Sequence, residues 1–292
     1  MSNVCTNRLH VVGPSEAVAN FVARAADRPR AYAPATALEM RLVERIEQGA
    51  DPLQADRELE NWLDSIGAKA IQWARVKPWT RILPAGLVEP DVPETIRAAR
   101  LAEWIRSVKE EARNADAPAA PTHASAFYLD ALRPVPSAVL TAGYDDAGMY
   151  WQAEHWGTRR IADHVPPPSI EARSGGRHCA VYSIETFVSP PLEALSFGSI
   201  RYPELVFAVA YAEPRMDFYG GATFVQGFVR ELGDKDGDEL VGRYPSVDAT
   251  GTTTVAIDAF LADAVHQGEV AADQLLQSPR CCGSGQASVR RL

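Results

Sequence analysis

The sequence lacks the features that would point directly to a membrane, a secretion route or a nucleic acid. No apolar run approaches the roughly 18 residues of a bilayer span, and residues 1–13 have neither the basic start nor the apolar block of a signal peptide. Basic residues are in deficit, with 29 Lys and Arg against 38 Asp and Glu and a net charge of −9. We therefore expect a cytoplasmic chain whose acidity disfavours a nucleic-acid partner.

Cysteines and catalytic motifs are also sparse. Cys5, Cys179, Cys281 and Cys282 have no spacing typical of a disulfide framework or a zinc knuckle, so we expect free thiols and no metal site. The acidic run 234–239 lacks the glycine and the distal glutamate of a calcium loop and predicts a solvated turn. Neither a Gly-x-Ser-x-Gly elbow nor a phosphate-binding glycine loop is present, and no cofactor is predicted.

The chain opens with a strand followed by a helix. Residues 5–13 alternate apolar side chains and stop at Gly13-Pro14. After Ser15, a good N-cap, apolar side chains recur at helical spacing at Val18, Phe21, Val22 and Ala25. Residues 1–26 are predicted to form a split core domain with residues 123–232.

Residues 27–122 have a different composition and predict an inserted helical subdomain. Alanine, glutamate and arginine dominate, and Asp51-Pro52 and Pro93-Glu94 each supply a helix start. The Pro/Ala-rich stretch 115–122 is typical of a return linker. The tryptophans of this block are interpreted as core residues rather than as a ligand box: Trp62, Trp73, Trp79 and Trp104.

The second half of the chain regains strand character. Residues 126–139 carry two prolines and predict an edge or irregular segment. Residues 178–188 predict a strand, Ser189 predicts the cap of a following helix, and residues 205–211 predict another strand.

The end of the chain is predicted to be less regular. Residues 217–232 favour an extended pair or a bulged strand that breaks at Gly220-Gly221. A C-terminal extension, residues 233–277, contains a short amphipathic helix, and residues 278–292 have little to bury and predict a mobile tail.

Reactive residue types are densest in the stretch Tyr150–Arg160, YWQAEHWGTRR. Interpreted as a strand that turns at Gly157, this stretch places Glu154 and His155 on opposite faces, which disfavours acid–base chemistry, and no catalytic residue is assigned. The remaining interpretations are a structural corner of a sheet and a binding site. The candidate binding residues are Glu154, Trp156, Gly157, Thr158, Arg159 and Arg160.

Four separated motifs carry a resemblance to a known family. They are VCTNRLHVVGP, FYLDALRPVP, AEHWGTRR and ETFVSPPLEALSFGSIRYPELVFAVAYAEP, spread over residues 3–26 and 126–228. Together they resemble the YubB-type ferredoxin-like domain family of conjugative plasmids and phages. The resemblance implies a ferredoxin-like βαββαβ plait of the α+β class, interrupted by the helical subdomain. It implies no activity, because that family is uncharacterised, and His155 stands where the family commonly has asparagine.

These observations favour a non-enzymatic binding or protein-interaction module of a mobile genetic element, with a protein partner and no membrane. One alternative is nucleic-acid binding on the open sheet face, where Arg159 and Arg160 would meet phosphates. Its candidate stacking residues are Tyr182, Phe187, Phe207 and Tyr211. The others are an acidic anti-defence protein and, least favoured, an enzyme centred on Glu154, His155 and Thr158.

Overall fold

The structure is a computed structural model. It describes residues 4–34, 36–66, 83–84, 87, 93–114, 124–159, 161, 164–213, 218–231, 266 and 270. The chain divides into two compact units, which are described separately. Unit 1 comprises residues 1–29, 123–134 and 155–292, and unit 2 comprises residues 30–122 and 135–154. Residues 135–154, which the sequence placed in the core domain, belong to unit 2.

In the part of the chain that the structure describes, seven helices accompany one six-stranded antiparallel sheet, which confirms the predicted α+β class. The helices are α1 (Ser15–Ala25), α2 (Ala37–Glu47), α3 (Pro52–Ser65), α4 (Glu94–Asn114), α5 (Ser137–Ala142), α6 (Met149–Trp156) and α7 (Leu192–Arg201). The strands are β1 (Val4–Pro14), β2 (Ser169–Ala172), β3 (Arg177–Phe187), β4 (Val206–Glu213), β5 (Phe218–Val225) and β6 (Phe228–Glu231). Within the described ranges, no helix has the length and apolarity to cross a membrane.

The strands of unit 1 form one antiparallel sheet in the order β2-β3-β1-β4-β5-β6. The first strand of the chain is therefore central, because β1 pairs with β3 on one side and with β4 on the other. Alternation along β1 turns Cys5, Asn7, Leu9 and Val11 inward, and all four are buried. The strands predicted at 5–13, 178–188 and 205–211 are confirmed to within a few residues.

Helix α1 packs on the sheet through the apolar side chains that its spacing predicts. Val18, Phe21 and Ala25 are buried, and Val22 is partly buried. The Phe21 ring lies 5.2 Å from that of Tyr202 and contacts three further aromatic rings in near edge-on or tilted geometry. Those rings belong to Phe127, Tyr182 and Phe207.

In unit 2, helices α2 and α3 form a hairpin with its own small core. Asp51 caps α3 by accepting a hydrogen bond from the Gln54 amide at 2.9 Å, and Pro52 occupies the first turn, as predicted. Leu42, Ala55 and Leu83 are buried together, with Trp104 of α4 packed against them. Helix α4 begins at Glu94 as predicted, and Ile96 in its first turn is 45% exposed.

Three local predictions are wrong. The run before Gly157 is helix α6 rather than a strand, since it contains no β-branched residue and Gly157, at φ +79°, is a left-handed residue that ends helices. The break after β5 falls at Gln226-Gly227 rather than at Gly220-Gly221, which pair in register with Tyr211 and Ala210. Helix α7 begins at Leu192 without a side-chain cap from Ser189.

Other predictions fall outside the described residues. These are Trp73, Trp79, the Pro/Ala-rich linker 115–122, Arg160, the acidic run 234–239, the cysteines Cys281 and Cys282, and the end of the chain from residue 232 except His266 and Val270, which are helical.

We predict that Phe21→Ala lowers the free energy of unfolding by about 3–5 kcal/mol, because it leaves a cavity among four aromatic rings. Urea denaturation followed by circular dichroism measures this loss. The control is Asn20→Ala, an exposed position on the same helix, which should change stability by less than about 0.5 kcal/mol. Equal effects of the two changes would contradict the packing described for α1.

Candidate functional site

The predicted binding stretch ends in a bend of the chain, Trp156–Arg159, that we call the corner. Trp156 is 4% exposed, and its indole N–H donates to the Arg133 carbonyl at 2.8 Å. Gly157 follows in left-handed conformation, and a Cβ there would meet the Pro190 carbonyl at 3.1 Å and the Glu193 carboxylate. The backbone angle and the close neighbours together require glycine at this position.

Hydrogen bonds join the corner to the end of β3 and the residues that follow it. The Thr158 hydroxyl, in a residue only 1% exposed, donates to the Phe187 carbonyl at 2.9 Å. The Ser189 hydroxyl donates to the Gly157 carbonyl, and Ile161 forms an isolated bridge with Thr186. The hydroxyl of Thr158 is thus engaged in a structural contact rather than presented for chemistry.

A buried amide connects the central strand to this corner. The side-chain N–H groups of Asn7 donate to the Thr186 hydroxyl at 2.9 Å and to the carbonyls of Cys5 and Ile184. The Thr186 hydroxyl in turn donates to the Ser189 carbonyl at 2.8 Å. Because polar groups in a core cost free energy unless they are paired, these bonds fix the register of β1 against β3.

Two charged side chains border the corner. Arg133 donates to the His155 carbonyl at 3.2 Å, and its guanidinium lies 5.0 Å from the centre of the Phe197 ring. The Glu193 carboxylate lies against Gly157, where loss of water raises its pKa while the charge of Arg133 opposes the shift. A carboxylate and a guanidinium thus border the corner, and the guanidinium also lies over the exposed ring of Phe197.

The predicted candidates are only partly brought together. Trp156, Gly157, Thr158 and Arg159 form the corner in unit 1, with Arg159 partly exposed. Glu154 is exposed on α6 and belongs to unit 2. Successive side chains on a helix point about 100° apart, so Glu154 and His155 point in different directions. They do so because the run is helical, and not because they alternate along a strand as predicted from the sequence.

Sequence reasoning missed Asn7, Arg133, Thr186, Ser189 and Glu193 as neighbours of the corner. For Asn7 a signal existed, because a polar residue at an inward position of an alternating strand needs partners. Arg133 and Glu193 carry no such signal, since their neighbours are distant in sequence.

The aromatic residues proposed to stack bases are mostly in the core, so this part of the nucleic-acid prediction is wrong. Tyr182 and Phe207 are 0% exposed and Tyr211 is 7% exposed. The Phe21 ring of α1 lies against both Tyr182 and Phe207. Helix packing therefore occupies the ring faces that stacking would need, while Phe187 is partly buried.

Among the described residues, no group of three or more His, Cys, Asp and Glu side chains could hold a metal ion. Cys5 and Cys179 are buried thiols that form no disulfide, as predicted for these two. Burial raises the pKa of Cys5 to about 12, and the negative charge of Glu213 adds to this shift. Hydrogen bonds with Thr186 and the Ala212 backbone lower the pKa and oppose the shift.

Comparison with known proteins gives one distant structural match. No family model matches the chain, and no curated protein matches it. The match is the crystal structure of protein api92 from Yersinia pseudotuberculosis, of the family DUF1281, which is 12% identical to this chain in sequence. The superposition covers 81% of this chain and 98% of api92, with a TM-score of 0.39. This likeness is too distant to transfer a fold or a function.

We predict that Gly157→Ala destabilises the chain more than Gly175→Ala. Both glycines have a positive φ, +79° and +73°, but a methyl group at Gly175 meets nothing within 4 Å. Placing alanine at a positive φ costs about 1–2 kcal/mol of stability at either position. Any further loss in the free energy of unfolding for Gly157→Ala therefore measures the crowding by Glu193 and Pro190. Chemical denaturation measures both, and equal losses would show that the corner has room for a side chain.

We predict that Cys5 resists alkylation in the folded chain at pH 8, by on the order of 1,000-fold relative to the chain in guanidinium, because its pKa of about 12 suppresses the thiolate. Iodoacetamide labelling followed by peptide mass spectrometry measures this rate. A thiol with a raised pKa stabilises the fold below its unfolded pKa, so the free energy of unfolding should fall as the pH rises from about 9 toward 12. Equally rapid labelling in both states would contradict the burial of Cys5.

Proposed function

We propose that this chain is a non-enzymatic, cytoplasmic binding module of a mobile genetic element and that its ligand is a protein. The carrying observation is a pair of large apolar side chains on the outer side of α7, Phe197 at 40% and Ile200 at 61% exposure. They lie three residues apart and therefore share one helix face. We call Phe197, Ile200 and Arg133 the α7 patch.

The arrangement of elements supports a ferredoxin-like core. The four strands β2, β3, β1 and β4 are adjacent in that order, α1 follows β1, and α7 lies between β3 and β4. This is the strand–helix–strand–strand–helix–strand order of the plait that the family resemblance implies. On this inference β5 and β6 extend the plait at one edge, and residues 27–122 interrupt it after α1.

The chemistry of the α7 patch fits protein recognition. Aromatic and arginine side chains are enriched at the centres of protein interfaces, and here Arg133 lies over the Phe197 ring at 5.0 Å. Ile200 lies close to Gly227 in the β5–β6 turn, which supports it from the sheet side. We infer a partner that covers Phe197 and Ile200 with apolar side chains of its own.

The corner supports a scaffolding role rather than catalysis. Its hydroxyl and indole groups donate to main-chain carbonyls, at 2.9 Å from Thr158 and at 2.8 Å from Trp156. A catalytic hydroxyl needs a base and a reachable substrate, and Thr158 is 1% exposed. We infer that the corner positions α7 and its patch.

We predict that the double change Phe197→Ser and Ile200→Ser abolishes capture of the partner, because it removes the apolar contact without disturbing the core. Affinity capture from cells that carry a conjugative plasmid identifies the partner. Titration calorimetry with the purified partner should then give at least a 10-fold weaker affinity for the double variant.

The matched control is Ile170→Ser on β2, where the isoleucine is also exposed, at 52%. It should bind the partner as the unchanged chain does. Equal binding by the unchanged chain, the double variant and Ile170→Ser would exclude the α7 patch as the binding surface. Failure to recover any specific partner would count against a protein-interaction module.

A further inference from the structure

Unit 2 contains a groove of about 580 Å³ between α2 and α3. Each helix lines it with a face of the i, i+3, i+4, i+7 type. Helix α2 supplies Arg41, Glu44 and Arg45 together with Gln48 at its C-cap, and α3 supplies Ala55, Glu58, Leu59 and Trp62. The volume lies within the range of small-molecule sites, which is about 300–1,000 Å³.

The groove is apolar on the α3 side. Ala55 is 3% exposed and belongs to the buried cluster of unit 2, and Leu59 packs against the same cluster. Because Ala55 is already covered, the apolar surface open to a ligand is that of Leu59 and Trp62, which line the groove and are only partly buried.

The charges at the rim are not equivalent. Arg45 and Glu58 form an exposed ion pair, and Glu58 also accepts from the Gln54 side chain at 3.1 Å. Arg41 instead lies over the Trp62 ring at 5.2 Å and has no ion-pair partner among the described residues. The stack orients a guanidinium whose N–H donors match the geometry of a carboxylate.

We propose that the α2–α3 groove binds a small apolar carboxylate. The carboxylate accepts charge-assisted hydrogen bonds from Arg41, and the aliphatic body lies on Leu59 and the Trp62 ring. Glu44 and Glu58 line the same groove, so their like charge disfavours a phosphate dianion relative to a singly charged carboxylate. This site lies within unit 2 and is independent of the α7 patch.

The test uses the full chain with octanoate as the ligand and octanamide as its neutral counterpart. Titration of ¹⁵N-labelled protein should give saturable shifts of the Trp62 indole signal, assigned with Trp62→Phe, for octanoate, and at least 10-fold weaker binding of octanamide. Arg41→Gln should weaken octanoate binding by at least 10-fold and leave the weak octanamide binding unchanged.

The matched control is Arg57→Gln, because Arg57 is an exposed arginine on α3 that contacts the Leu53 carbonyl and does not line the groove. It should bind octanoate like the unchanged chain. Equal binding of octanoate and octanamide, or equal losses in the Arg41 and Arg57 variants, would overturn the proposal. The comparison of the two ligands needs no variant, so it decides the question even if Arg41→Gln unfolds unit 2.

Discussion

Unit 1 depends on the pairing of β1 with β3 and β4, two strands from the second half of the chain. Asn7 and Ile184, joined by a hydrogen bond, are 177 positions apart. Because the entropy of closing a flexible loop grows only slowly with its length, the long segment 26–176 between α1 and β3 adds little to the cost of this pairing. The central position of β1 is thus compatible with a long intervening segment.

The hydrogen bonds of Asn7 make this pairing specific. A slip of β1 by one residue would turn its apolar side chains away from α1 and leave a buried amide unpaired. Because Thr186 accepts from Asn7 and donates to the Ser189 carbonyl, the same register holds the end of β3 and the corner. The proposed α7 patch follows directly after this segment, so its position depends on contacts made in the core.

Sequence patterns predicted the elements whose periodicity is strong, including β1, α1, β3 and β4, and the start of α3 at Asp51-Pro52. They failed at Tyr150–Trp156, interpreted as a strand but helical in the structure. The aromatic residues of this run suit a strand, whereas Gln152, Ala153 and Glu154 are good helix formers. The candidate residues Trp156, Gly157 and Thr158 do lie together, but their partners Arg133 and Glu193 could not be predicted. Those contacts depend on the packing of segments that are distant in sequence, which no local pattern encodes.

The central position of β1 also has a consequence for synthesis on the ribosome. At about 5–20 residues per second, β1 emerges on the order of ten seconds before β3 can pair with it. Throughout that interval a strand with an apolar face has both of its backbone edges open, which is the state in which strands associate with other chains. The nascent chain is therefore most vulnerable to aggregation while its helical block is being made, and α1, the first element able to cover β1, is its earliest protection.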